Sequence, residues 1–322
     1  SRTADMVGRI HVINSIKKLF DELLLQPVKE LTNDKVVWTW ESSASLKNGI
    51  LLLCQIDIPF DLREQHQVYR RDPEWIYSEG VGSVWGPLTM LEFALKSLRS
   101  IRKLRKLPLG ILFYGDEGLD CRYSSDLIKQ AVEQAAEVIV LRPGNVGGKV
   151  ISDRRGQRKY LLVAEGTPHR LGKITKQQEV LRWAGTKIEE LAQLSNRKER
   201  IALSAVKIES DAFPTLLPHR VQVTLISSFA KVKSGDELEE KMIQVLGKGN
   251  IKWLLESVSN RPTMKAKKKG NMQIKALKNI AGQWDIPFET TSSLWPSVGG
   301  LVKQGTPVIL SLIHISEPTR LC

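Results

Sequence analysis

The sequence predicts an α/β protein with a mainly parallel sheet, interrupted by an inserted ferredoxin-like layer. Three observations carry this. Apolar runs bounded by glycine and proline alternate with helical patterns from residue 8 to 142, and again after Pro262, as in successive β–α–β units. Between these stretches the order becomes strand, helix, strand, strand, helix, strand, which is the ferredoxin-like order of helices on an antiparallel sheet. A chain of 322 residues, 42% hydrophobic, is also long enough to build two separate cores.

Residues 8–25 carry Ile10, Ile13, Ile16, Leu19, Phe20 and Leu23 at helical spacing. Strands are expected at 35–41 and 49–57, then a polar loop over 58–80 with Pro59 and Pro73. A helix over 86–106, closed by Pro108, precedes a buried strand at 109–115, a helix at 123–135 and a strand at 137–142. The inserted block places strands at 158–166, 200–208, 219–227 and 251–258, and helices at 176–194 and 234–247. Ser234, with Glu237 three residues on, is the expected cap of the last helix. A helix at 271–283 and a strand at 306–310 return to the first pattern. The α/β domain is thus expected over 1–152 and 263–309, with the insertion over 153–262.

The end of the chain has a different origin. "LSLIHISEPTR" (310–320) resembles the conceptual translation of an adapter used in DNA-sequencing libraries, so 310–322, with His314 and Cys322, is expected to be an artefact that packs poorly. The natural sequence then reads as a metagenomic fragment cut near Ile309, and the absence of an initiator Met suggests a cut at the front as well.

The formal net charge of +13 is concentrated in "KSLRSIRKLRK" (96–106), "KAKKK" (265–269) and "RRGQRK" (154–159). Aromatic residues do not interleave with these runs as a single-strand binder requires, so they read as solvated faces and nucleic acid is not the expected partner. No run of about 18 apolar residues suggests a membrane span. Cys54, Cys121 and Cys322 share no metal-ligand spacing, which points to a reducing, cytoplasmic setting without disulfides.

Four stretches in order carry a resemblance. "LLLCQIDIPF" (51–60) resembles an apolar strand ending in His-x-Asp. "GVGSVWGPLTMLEFALKSL" (80–98) resembles Gly-x-x-Asp-x-Lys-Gly followed by a helix. "LPLGILFYGDEGLDC" (107–121) resembles a strand ending in Asp-Glu-Glu, and "AEGTPHR" (164–170) resembles a Gly-x-x-His. The gaps of 28 residues from Gln55 to Ser83, 34 from Ser83 to Glu117 and 24 from Gly118 to Arg142 also agree. Over 1–309 the chain therefore resembles the co-catalytic zinc exopeptidases and deacylases, the group of glutamate carboxypeptidase, acetylornithine deacetylase, succinyl-diaminopimelate desuccinylase and aminoacylase. That resemblance implies a zinc-exopeptidase-like domain with an inserted lid, and a homodimer formed through the lid.

It also implies a site. Two zinc ions need imidazole and carboxylate ligands, one carboxylate bridging them, and a Glu to take a proton from the shared water. On the matching positions stand Gln55 for a His ligand, Ser83 for the bridging Asp, Gly118 for a Glu ligand and Arg142 for the remaining carboxylate; the last His ligand would lie beyond Ile309. Asp57 matches the carboxylate that orients a ligand His, Glu117 the general base and His169 the lid residue that stabilises an oxyanion. Thr215 and the serines of "LISS" (225–228) stand where substrate-carboxylate contacts are usual. The expectation is a catalytically silent relative, without zinc or any other cofactor, acting as a binding or scaffold protein for a small peptide or acyl-amino acid, with Arg142 paired to Glu117. The alternatives are an active metal-dependent amidohydrolase or exopeptidase with zinc, and a basic nucleic-acid-binding protein. Each residue also has a bland use: Asp57 as a loop cap, Glu117 as a solvated carboxylate, His169 as a surface His. His66 has no second ligand at metal spacing, and Trp85 is expected to face the cleft.

Overall fold

The computed structural model describes residues 5–58, 69–73, 75–142, 149–172, 179–211, 214–265, 272–303 and 305–310. Two compact units emerge. One holds Ser1–Asp153, Met264–Ser293 and Ser297–Cys322; the other holds Arg154–Thr263 with Leu294–Pro296. In chain order the main elements are α1 Met6–Leu23, β1 Val37–Glu41, β2 Ile50–Gln55, α2 Gly86–Ser100, β3 Leu109–Tyr114, α3 Ser125–Gln134, β4 Glu137–Leu141 and β5 Val150–Arg154. Then follow β6 Gly156–Glu165, α4 Val180–Ala192, β7 Ile201–Ser210, β8 Arg220–Phe229, α5 Val232–Leu246, β9 Lys252–Arg261, α6 Met272–Gln283 and β10 Val308–Leu310.

The first unit is built on a nine-stranded sheet in which β1, β3, β2, β4, β10 and β5 lie side by side in that order. The centre is parallel: β2 runs with β3 and β4, and β10 runs with β4. The flanks are antiparallel, at β1 against β3 and at β5 against β10. Successive side chains of a strand point to opposite faces, and both faces of β2 are covered. Leu51 and Leu53 join Ile128, Ala131 and Val132 of α3 in one core. Cys54 joins Ile13 and Phe20 of α1 and Leu91 and Leu95 of α2 in the other. Each fully buried Leu contributes about 1.5–3 kcal/mol, so an unbroken apolar run is what a strand covered on both faces requires. Phe20, Trp40 and Phe113 meet at ring-centroid distances of 5.2–5.8 Å under α1.

The second unit is a four-stranded antiparallel sheet in the order β7-β8-β6-β9, reached through β6-α4-β7-β8-α5-β9. This is the ferredoxin-like arrangement. Tyr160, Leu162, Ala164, Val221, Val223 and Leu225 face the helices and meet Trp183 and Leu191 of α4 and Leu238 and Met242 of α5. The unit is entered and left at neighbouring points, because Gln157 is the register partner of Arg261. Arg158 ties the sheet to α5 through ion pairs to Asp236 and, at 3.2 Å, to Glu239. The Tyr160 hydroxyl donates to the same Glu239 carboxylate at 3.1 Å.

Several expectations change. The helix expected to start at Ser234 begins at Val232, with Lys231 at its cap position and no side-chain cap. Gly235 lies against Phe229, where a Cβ would stand 2.9 Å from the ring, so docking on the end of β8 fixes the first turn. The helix expected to reach residue 106 ends at Ser100; Arg102 takes a left-handed backbone, and a separate 3₁₀ turn buries Leu104. Leu310, counted with the adapter-like segment, is fully buried in β10, paired with Val140 and Ile151. A leucine meets the apolar demand of a central strand whatever its origin. Residues 311–322 lie outside the described residues, as do residues 59–68, with His66, and 74 of the 58–80 loop.

Candidate functional site

The site lies at the carboxyl ends of β2, β3 and β4. Their register places Gln55 beside Tyr114 and Cys54 beside Leu141, so the segments that follow leave the sheet at one edge. That edge is where parallel sheets gather binding residues. The backbone continues the register one step, as Ile56 N donates to Tyr114 O at 2.9 Å.

Asp57 is fully buried just past β2. Its carboxylate accepts from the backbone N–H of Glu117 at 3.2 Å and of Gly118 at 3.1 Å, so it clamps the turn after β3. Gln55 donates from Nε2 to the Asp57 carbonyl at 2.6 Å, while its buried Oε1 has no partner among the described residues. Glu117 accepts from Arg142 Nη1 at 2.9 Å on one oxygen and from the Cys121 thiol at 3.3 Å on the other. The Glu117 side chain is 6% exposed and that of Arg142 18%. The pair expected from sequence is therefore present, and Glu117 is not the solvated carboxylate of the bland reading.

Ser83 sits in the π-helical turn Val81–Trp85 that leads into α2 and packs against β2. Gly80 starts this turn with φ +67°, and a Cβ there would lie 2.7 Å from Ile58. Gly118 is exposed on the turn after β3 and adds no side chain. His169 belongs to the second unit, half-buried on the loop after β6, where its carbonyl accepts from Leu217 N at 2.8 Å. Thr215 lies near it in the same unit, and its carbonyl accepts from Leu171 N at 3.0 Å. Sequence reasoning missed Asp116 and Cys121. Buried Asp116 accepts from Tyr123 N at 2.8 Å and Ser124 N at 3.0 Å, fixing the loop that carries Glu117. Asp120 and Cys121 both have left-handed backbones, at φ 60° and 57°; the "GDEGLDC" run signals a turn but not these consecutive conformations.

The fit to a metal pair follows from these contacts. Asp57 is committed to backbone N–H groups and Glu117 to a guanidinium and a thiol. The other matched positions offer an amide, a hydroxyl, no side chain and a permanent cation. At 4 Å, Arg142 would repel each unit of metal charge by about 4 kcal/mol at an effective dielectric near 20. Among the described residues no group of three or more His, Cys, Asp or Glu side chains is arranged to hold a metal ion. The described residues at these matched positions do not fit a dinuclear metal centre.

The structure is similar to aminopeptidase PepT from Bacillus cereus, with a TM-score of 0.70 and 14% identity over 94% of this chain and 86% of that one. Human carnosine dipeptidase 1 gives 0.65 and 12% over 96% and 86%. A dinuclear metal binding peptidase of the M20 family from Bacillus subtilis gives 0.63 and 10% over 94% and 82%. The fold is that of the M20 peptidases. The sequence itself matches no protein-family model and no curated protein. This chain thus combines an M20-type fold with an ion pair at the ends of its parallel strands. No helix among the described residues is long and apolar enough to cross a membrane.

Proposed function

We propose that this chain is a catalytically silent relative of the dinuclear-metal peptidases, retained as a binding or scaffold protein for a small peptide or acyl-amino acid. The observation that carries this reading is the Arg142–Glu117 pair at 2.9 Å. A general base needs a lone pair aimed at the proton of the attacking water. Each Glu117 oxygen already accepts a hydrogen bond within the protein, and the side chain is only 6% exposed, so an attacking water has little access to it. A guanidinium cannot ligate a metal, and it supplies here the positive charge that metals would bring. Dimerisation through the inserted unit is part of the proposal, supported by the exposed Val206, Ile208 and Leu254 on the outer strands β7 and β9. A cytoplasmic location is supported by two buried thiols outside any disulfide, Cys54 and Cys121; burial pushes the Cys54 thiol well up.

The test is elemental analysis of dialysed protein, with a screen of N-acyl amino acids and dipeptides in added Zn²⁺, Co²⁺ or Mn²⁺. The expected result is metal far below one ion per chain and no turnover. Two ions per chain, or metal-dependent turnover that Glu117→Ala abolishes, would overturn the proposal in favour of an active amidohydrolase. Light scattering tests the dimer: a monomer at tens of micromolar removes that part.

A further inference from the structure

The helix α2 carries two apolar stripes, and the fold buries one of them. Leu91 and Leu95 are buried, and Leu88 and Leu98 partly so, in the core shared with α1 and the sheet. Trp85, expected in the cleft at the strand ends, lines the crevice between α1 and α2 on this inner side. The second stripe faces away. Met90, Phe93, Ser97 and Ile101 follow at i, i+3, i+7 and i+11, so at 3.6 residues per turn they lie one above another. Phe93 is 66% exposed, Ile101 59% and Met90 37%. Single exposed apolar residues are ordinary, but three on one stripe of a helix whose core face is already satisfied form a patch.

The charge beside this patch has one sign. Lys96, Arg99, Arg102, Lys103, Arg105 and Lys106 are all exposed, and no Asp or Glu occurs from Phe93 to Gly115. Glu92 holds Lys96 at 2.6 Å. The other five form no ion pair among the described residues, and Asp21 and Glu22 at the end of α1 pair with none of them. Arg99 donates instead to the Glu22 carbonyl. The left-handed backbone of Arg102 ends the helix, and buried Leu104 pins the turn that follows, leaving Arg105 and Lys106 outside. We propose that the outer face of α2 and this turn dock the protein on an anionic lipid surface. Met90, Phe93 and Ile101 enter the headgroup layer, and Arg102, Lys103, Arg105 and Lys106 meet the lipid phosphates and carboxylates. A single-stranded nucleic acid would ask for aromatic rings among the basic residues, and none occurs from Lys96 to Lys106. The inference depends on neither the strand-end site nor its silence.

Sedimentation of the full chain with phosphatidylcholine vesicles, with and without phosphatidylserine, tests this. Binding is expected to the mixed vesicles and not to the neutral ones, and it should weaken as added salt screens the charges. Lys103→Gln with Lys106→Gln should weaken it about 10–30-fold, at roughly five-fold for each basic residue near an anionic surface. Arg197→Gln with Lys198→Gln removes the same charge at exposed positions of the second unit, and should change binding less than about two-fold because distant charges are screened. Phe93→Gln should weaken binding at least about five-fold, since the ring no longer leaves water; Ile101→Gln makes the same test at the other end of the stripe. Both positions are exposed, so the melting temperature is expected to stay unchanged. No binding to the mixed vesicles, an equal loss from the Arg197 and Lys198 pair, or undiminished binding after Phe93→Gln and Ile101→Gln each overturns the proposal. A dimer that Phe93→Gln dissociates would assign the stripe to a second copy, and binding of an RNA homopolymer that Phe93→Gln abolishes would assign it to nucleic acid; either result overturns the proposal as well.

Discussion

Glu117 is a carboxylate withdrawn from water, and such a charge costs several kcal/mol unless an opposite charge and hydrogen bonds meet it. Arg142 and Cys121 meet it here. Arg142→Met is expected to lower stability by about 1–3 kcal/mol, the cost of an unsatisfied buried group. That is below the roughly 3–5 kcal/mol of a fully buried pair, because Arg142 keeps part of its side chain in solvent. Adding Glu117→Gln should recover much of the loss, and urea unfolding of the two single variants and the double variant measures the coupling. A second residue carries a pH dependence. Burial pushes the Tyr160 phenol up from 10.0 to about 12, with the Glu239 charge adding to the rise and Arg158 opposing it. The folded state holds that proton more tightly than the unfolded chain, so the contribution is complete below pH 10 and fades as pH rises toward about 12. Melting temperatures at pH 9 and 11.5 should fall more steeply for the natural chain than for Tyr160→Phe; equal slopes would remove Tyr160 as the cause. At this scale the sequence was readable where geometry is regular. Arg142 and Glu117 each follow a parallel strand, and strand ends in register bring their successors together. Cys121 was unreadable because two consecutive left-handed residues place its thiol, and nothing in their identities demands that conformation.

The turn from Gly80 to Trp85 shows how a loop is held by a single backbone choice. A φ of +67° favours glycine, and the approach of Ile58 leaves no room for a Cβ. Gly80→Ala should therefore cost more than about 1 kcal/mol, read as a lower urea midpoint at unchanged slope. The elements that sequence located best are β2, β3 and β4, because burial on both faces demands unbroken apolar runs. β5 escaped notice because "VISDR" ends in polar residues, and Thr290–Ser293, which pairs with it, is wholly polar. Strands with that composition are defined by their neighbours, which a local reading does not see. The early start of α5 has the same origin, since the contact of Gly235 with Phe229 fixes the turn and Ser234 is not used as a cap.

At the level of the whole molecule, each unit has its own core, and the change of strand–helix order in the sequence marked where one pattern gives way to the other. The second unit has a further property that sequence did not reveal: its first and last strands are register partners at Gln157 and Arg261. Antiparallel partners have Cα atoms about 4.5–5.5 Å apart, so the two ends of the inserted segment meet. Residues 154–263 expressed alone are expected to unfold in one cooperative transition with dispersed amide signals; a collapsed species without a transition would show that its core is insufficient. The position of β10 has a consequence for synthesis. It is made after the whole of the second unit, yet it lies between β4 and β5. At 5–20 residues per second the ribosome needs roughly 10–30 s to travel from the end of β4 to the end of β10. Throughout that interval the growing chain carries an unpaired parallel edge, which is a template for strands of neighbouring nascent chains. A nascent chain on a crowded polysome is therefore exposed to misassembly through this edge, and a chaperone that shields it is expected to raise the yield.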